Sequence, residues 1–378
     1  MRRASELECR RLNDNFAALC AIPSPSRKEG LVAEFVRREL EQIGLEVEED
    51  DVGTEIGGES GNLFAKLPAA QGEPVLFCAH LDTVPHQGTV QPVFKDGVWR
   101  SEGETILGAD NKAAVAVLLE LARRAQIEAS PRPIELCFTV AEEVGLVGSS
   151  ALDLARFEST TGFVYDHASP VGEIIVASPT HIRWRANLRG KAAHAGLSPE
   201  LGRNAITAAA SAIMAIPDGR LDPQTTANVA RISGGVSGTN VVPEYCSVDG
   251  EVRALEEQRA EQLVSAVAEA FEDAANRPES QCDLDLTIER SFLGYQIDRS
   301  GIAIQAAQSA LVSCGYEPLL IESGGGSDAN AFRAAGLDCI NIANGTTDAH
   351  QSTESVAAVD LEAMLNVSFA LLDAIGED

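Results

Sequence analysis

An α/β domain interrupted by a smaller ferredoxin-like α+β domain is the fold this sequence predicts, on three observations. Short apolar runs at residues 74–79, 133–140 and 162–165 end abruptly in polar residues, as strands buried on both faces do. A segment of helical periodicity at 113–125 lies between the first two of those runs. From residue 179 the texture changes to half-buried alternation, in the order β-α-β-β-α-β over about 110 residues, the order of a ferredoxin-like sandwich.

The elements follow in order. Leu12, Phe16 and Leu19, then Val32, Phe35, Val36, Leu40 and Ile43, recur at helical spacing and predict two helices joined by the turn Ile22-Pro23-Ser24-Pro25-Ser26. Strands at 46–48 and 62–66 flank a Gly-rich loop at 53–61. The apolar strand from Pro74 ends at His80-Leu81-Asp82, where residues two apart project together from its carboxyl end. A hairpin follows at 89–100, turning on Asp96-Gly97. Asp110 precedes a helix at 113–125 and, taken alone, reads as its N-cap. The strand at 133–140 runs into Glu142-Glu143, and that at 162–165 into Asp166-His167. The insert comprises strands at 181–189, 226–232, 246–254 and 284–289 with helices at 204–216 and 257–275. The α/β pattern then resumes with a helix at 302–314, strands at 319–321 and 339–342, loops at 324–330 and 345–350, and a helix at 360–374.

The 378 residues suit two domains, each able to bury a core. A net charge of -28 argues against nucleic acid and against an anionic membrane surface as partners. No apolar run approaches the roughly 18 residues that span a bilayer. The opening Met1-Arg2-Arg3-Ala4-Ser5-Glu6 has no apolar leader, and the eight cysteines are scattered without zinc-ligand spacing. A cytoplasmic protein with reduced thiols is expected. Gly324-Gly325-Gly326 lacks the Gly-Lys-Ser/Thr of a phosphate loop.

His80, Asp110, Glu143, Asp166 and His350 each stand at a strand end or an adjoining loop of the α/β portion. Imidazoles and carboxylates in that combination suit two borderline divalent ions, provided that one carboxylate bridges them. The pieces His80-Leu81-Asp82-Thr83-Val84-Pro85, Gly108-Ala109-Asp110-Asn111-Lys112, Glu142-Glu143-Val144-Gly145, Asp166, His194-Ala195-Gly196 and His350 resemble, in order and over the whole chain, the two-zinc exopeptidases and amidohydrolases. That family includes glutamate carboxypeptidase, aminoacylase, succinyl-diaminopimelate desuccinylase and peptidase T. The 105–112 and 166–173 stretches look most like peptidase T.

The resemblance implies a zinc-exopeptidase-like catalytic domain, 1–178 with 293–378, whose mixed central sheet is flanked by helices, and an inserted dimerisation or lid domain at 179–292. It implies two Zn2+ per subunit, with Mn2+ or Co2+ as substitutes. His80 and Asp166 would hold one ion, Glu143 and His350 the other, and Asp110 would bridge across a cis Asp110–Asn111 peptide. Asp82 would orient His80, and Glu142 would be general base and acid. His194 would reach the partner subunit's site in a homodimer to stabilise the oxyanion. Arg253 would bind a substrate carboxylate, with Asn240, Gly325, Gly326 and Ser327 lining the pocket. Aspartate at position 166 favours the peptidase branches, so the expected activity is exopeptidase cleavage of short peptides. A carboxypeptidase, an N-acyl-amino-acid amidohydrolase and an inactive ligand-binding homologue are the alternatives.

Overall fold

The computed structural model describes residues 3–69 and 71–375. They divide into two compact units, one formed by the chain up to Ala177 and from Ile297 on, the other by Ser178–Gln296.

The first unit is built on a mixed sheet flanked by helices. Its spatial order runs Val47–Glu49, Leu63–Leu67, Ile134–Thr139, Val75–His80, Thr161–His167, Asp338–Ala343, Glu173–Ser178, and Leu319–Glu322 pairs with the last of these. The four middle strands, from Ile134–Thr139 to Asp338–Ala343, are mutually parallel. Their carboxyl ends therefore share one rim, where open α/β sheets carry their chemistry. Every residue of Val75–His80 and Ile134–Thr139 is buried, as apolar runs of this length foretell, and burial extends even to Glu135. Helix Ala109–Glu128, rich in Ala, Val and Leu, packs on Val75–His80 and against helices Glu6–Cys20 and Ala358–Ala374. Full burial of each Val, Leu or Phe contributes about 1.5–3 kcal/mol, and that offsets the cost of holding His80 inside with them.

A second, four-stranded sheet joins Thr346–Thr347, Ser355–Ala357, Val98–Ser101 and Pro92–Lys95. The predicted hairpin is its outer pair, turning at Asp96 and Gly97 with φ of 53° and 81°. The structure adds elements absent from the sequence reading, among them the strands Thr346–Thr347 and Ser355–Ala357. The Gly-rich loop at 53–61 contains helix Val52–Ile56, strand Glu173–Ser178 was not anticipated, Gly219–Asp222 adds a strand to the insert, and the 324–330 loop is already helical from Asp328. Most are short elements, whose periodicity is too brief to register; Glu173–Ser178 is the exception, as long as Val75–His80 and with an apolar run, Ile174-Ile175-Val176-Ala177, as readable as that strand's.

In the second unit five antiparallel strands lie in the order Gly219–Asp222, Thr225–Gly234, Tyr245–Ala254, Thr180–Arg189, Asp283–Phe292. Without the extra edge strand this is the ferredoxin-like arrangement. Helices Ala205–Ile213 and Glu257–Asn276 cover the face that presents Ile182, Trp184, Ala186 and Leu188. Gly250 is opposite Trp184, where a Cβ would lie 2.2 Å from the indole.

Gly148 holds a comparable position in the first unit. A Cβ there would sit 2.1 Å from the Val140 carbonyl oxygen and 2.7 Å from Asn62 Oδ1, which itself accepts from Val140 N–H. Gly148→Ala is therefore expected to destabilise by about 1–3 kcal/mol, the usual cost of overpacking. A lowered urea midpoint at unchanged m-value checks this, and an unchanged midpoint contradicts it.

Candidate metal centre

Six side chains converge at the rim of the parallel strands. His80 is the last residue of its strand, Asp166 lies near the end of Thr161–His167, Glu142 and Glu143 occupy the turn after Thr139, and His350 stands in the loop after Ala343. Asp110 enters from the start of helix Ala109–Glu128. It does not cap that helix: Gly108 takes the cap position, and Asp110 and Asn111 have non-helical backbone angles joined by a cis peptide. The carboxylate is thereby free to face the imidazoles.

Two triads result, His80 with Asp110 and Asp166, and Asp110 with Glu143 and His350, and within each the donor atoms lie inside 4.8 Å of one another. His80 Nε2 is 3.2 Å from Asp110 Oδ1 and 3.6 Å from Asp166 Oδ1. His350 Nε2 is 3.4 Å from Asp110 Oδ2 and 3.0 Å from Glu143 Oε1. Donors bound about 2.0–2.1 Å from a tetrahedral ion are separated by roughly 3.3 Å, so these spacings fit a shared cation in each triad. Glu143 Oε1 is buried yet receives no well-formed hydrogen bond. Asp110 directs one oxygen into each triad, which is the geometry of a bridge. The donor set, two imidazoles and three carboxylates, suits zinc, manganese or cobalt. The first triad is deep, with His80 only 1% exposed, whereas the His350 side chain is 49% exposed and marks the mouth.

The electrostatics express the same demand for positive charge. Burial alone would strip the His80 proton, but Asp166 and Asp110 outweigh it and raise its pKa well above the ordinary value. His350 is pushed up to about 10 by Asp110 and then Glu143. Burial raises Glu143 and, reinforced by the Asp166 carboxylate, lifts Glu142 well above the usual carboxylate range. Glu142 belongs to neither triad, yet lies within electrostatic reach of Asp166 and His80.

The supports differ in part from expectation. Residue 82 orients His80, but chiefly through its backbone carbonyl, 3.0 Å from Nδ1, which leaves Nε2 facing the triad. The Asp82 carboxylate, 3.5 Å from the same nitrogen, instead accepts Glu142 N–H at 3.0 Å, Glu143 N–H at 3.2 Å and the Ser26 hydroxyl at 2.6 Å. The strand has ended by residue 82, so the two-residue alternation no longer governs it. Glu29, fully buried, accepts Ala141 N–H at 3.0 Å, and Ala141 takes a φ of 54°. Three successive N–H groups of the acidic turn are thus held by two carboxylates. Glu29, Ser26, Asp328 and Glu354 were all missed by sequence reasoning. Asp328 is buried beside the centre and accepts the Thr139 hydroxyl at 2.5 Å. It follows the Gly325-Gly326-Ser327 segment directly, and Ser327 itself is 1% exposed. His86 and His167 are half-buried and outside both triads.

In the second unit the exposed His194 accepts Gly196 and Leu197 N–H at Nδ1, which places its proton on Nε2. Asn240 is its neighbour through the Ala195 N–H to Asn240 carbonyl bond of 2.9 Å. Arg253 is ion-paired with Glu251 at 2.9 Å, and Glu251 also faces His181 Nε2 at 3.0 Å.

Comparison with known proteins agrees with this picture. The family model described as the peptidase dimerisation domain matches residues 176–279, and that of peptidase family M28 matches 62–165, the segment bearing His80, Asp110 and Glu143. An uncharacterised Bacillus subtilis protein, YqjE, is 34% identical over 366 residues, covering 96% of this chain and 98% of its own. The crystal structure of aminopeptidase PepT from Bacillus cereus is 35% identical with a TM-score of 0.86, covering 98% of this chain and 99% of that one. A Staphylococcus aureus tripeptidase is 28% identical with a TM-score of 0.90 at the same coverage. Fold and site define a metal-dependent exopeptidase. Within that class, the chain belongs to the peptidase T-like family of metallopeptidases.

Proposed function

We propose that this enzyme cleaves single residues from the amino end of short unblocked peptides, tripeptides included, with two zinc ions at the paired triads. The observation that carries this reading is the division of the Asp110 carboxylate between His80 and His350, at 3.2 and 3.4 Å. His80 and Asp166 would hold one ion, Glu143 and His350 the other, and manganese or cobalt would serve in the same donor set. When bound, such ions polarise the scissile carbonyl and make water more acidic. The proton work falls to Glu142, whose carboxylate takes the proton of the attacking water and delivers it to the leaving amine nitrogen. Its raised pKa suits both halves of that task. Asp82 holds the Glu142 backbone in place.

His194 Nε2–H is the donor for the oxyanion, offered to the partner's centre in a homodimer formed through an inserted domain at 179–292. The match to the dimerisation-domain model supports that assembly. Arg253, once released from or shared with Glu251, would take the peptide carboxylate, and Asn240, Gly325, Gly326 and Ser327 would line the same pocket. Among the described residues no helix is long and apolar enough to cross a membrane. None of the eight cysteines forms a disulfide, and on that ground we place the enzyme in the reducing cytoplasm. Attack at the amino end is favoured by the likeness to the aminopeptidase and the tripeptidase.

Chelation is expected to abolish turnover of an unblocked tripeptide, and zinc, manganese or cobalt to restore it. N-acetylated amino acids should be poor substrates. Preference for the acetylated compounds would move the enzyme to the amidohydrolase reading, and a chain that takes up no divalent ion would end the metal-centre reading altogether.

A further inference from the structure

The turn that presents Asp110 is held from an unexpected direction. Glu354 is 2% exposed, and its carboxylate accepts three backbone N–H groups: Leu107 at 2.8 Å and Gly108 at 2.7 Å on Oε2, and Asp110 at 3.0 Å on Oε1. With Gly108 at φ 75° and Asp110 and Asn111 outside helical angles, these N–H groups precede the regular helix and need a partner from outside it. Three N–H donors in turn make a buried carboxylate tolerable. The same Glu354 stands four residues after His350, and its position is fixed by the following strand, where Ser355 and Val356 pair with Arg100 and Trp99. One carboxylate therefore ties the turn that carries the shared ligand to the segment that carries the outermost one.

We propose that Glu354 is a positioning residue of the metal centre, holding the Asp110 carboxylate in register with His350 so that both triads close together. A carboxylate that must serve two ions at once tolerates little displacement, since sites of this kind are held to about 0.5 Å by their supporting residues. This inference rests on the metal-centre reading above. It assigns Glu354 no contact with substrate or ion.

The test sets Glu354→Gln against Glu135→Gln in the full-length, metal-stripped chain. Glu135 is an equally buried brace, accepting Ser159 N–H at 2.9 Å and Glu158 N–H at 3.0 Å, but it touches neither triad. Zinc affinity and stoichiometry are read by titration against a competing chelator, together with kcat, KM and the urea midpoint. In Glu354→Gln an amide NH2 must face either the Asp110 N–H or the Leu107 and Gly108 N–H groups, so one side of the grip is lost. Zinc affinity is expected to fall about 10–100-fold, with a lower kcat at limiting zinc and KM within about twofold. Glu354→Asp, which keeps the charge, should lie between this variant and the unaltered chain. Glu135→Gln should lower the urea midpoint and leave zinc affinity unchanged. Wild-type zinc affinity in Glu354→Gln, with or without a stability loss, overturns the proposal. So does failure of both Glu354 variants to fold while Glu135→Gln folds, which makes Glu354 a fold residue. If the unaltered chain itself binds no zinc, the metal-centre reading fails instead, and the two failures are distinct.

Discussion

Glu142→Ala is expected to keep its full complement of metal and to lose about 10²–10⁴ in kcat, the range that a positioned general acid–base contributes. Retention follows because Glu142 is in neither triad, and because its backbone N–H, which the substitution preserves, is what Asp82 grips. Loss of turnover follows because Asp110, Asp166 and Glu143 face imidazoles and would be committed to the cations. Metal content by mass spectrometry and turnover of an unblocked tripeptide check the two halves separately. Full activity would remove Glu142 from the proton-transfer role, and loss of metal would place it among the ligands.

Asp110→Ala is expected to be the more damaging change. The triads then shrink to His80 with Asp166 and Glu143 with His350, two donors each, where catalytic zinc sites ordinarily have three protein ligands. Bound metal should fall toward zero at micromolar supply, and activity should fall by more than the roughly 10–100-fold that outer supports are worth. His350→Ala, which disrupts one triad, should retain the deeper ion. Circular dichroism confirms that the fold persists. Two ions still bound per Asp110→Ala chain would show that the carboxylate is no bridge.

How much of this was legible depends on what each residue stands beside. His80, Glu143 and Asp166 follow apolar runs, so an abrupt polar residue at the end of a buried strand announced itself. Asp110 did not, because a carboxylate before a helix is first of all a cap; its companions elsewhere in the chain, and the family likeness they carry, gave it another use. The bracing carboxylates were illegible for a physical reason. Glu29 and Glu354 accept main-chain N–H groups from segments 112 and 244 residues distant, and nothing local distinguishes them from solvated loop acids. The Asp82 carbonyl was equally hidden, since a strand's alternation predicts side-chain direction and says nothing of a carbonyl once the strand has stopped. The central parallel strands were readable because burial on both faces leaves a continuous apolar signature, whereas Val52–Ile56 and Gly219–Asp222 are too short to leave any.

The rim of parallel strands also bears on how the molecule stays folded. Glu29, Asp82, Glu142, Asp166 and Asp328 are crowded into one poorly hydrated corner, an arrangement whose mutual repulsion works against compactness. Divalent cations would be held beside that corner, by the two triads, only once residues as far apart as 80 and 350 have been assembled, and would act as rivets. Occupancy at a hundred times the dissociation constant adds about 2.7 kcal/mol to the native state. The supply of free metal would thus govern what fraction of the protein stays folded as well as how fast it works.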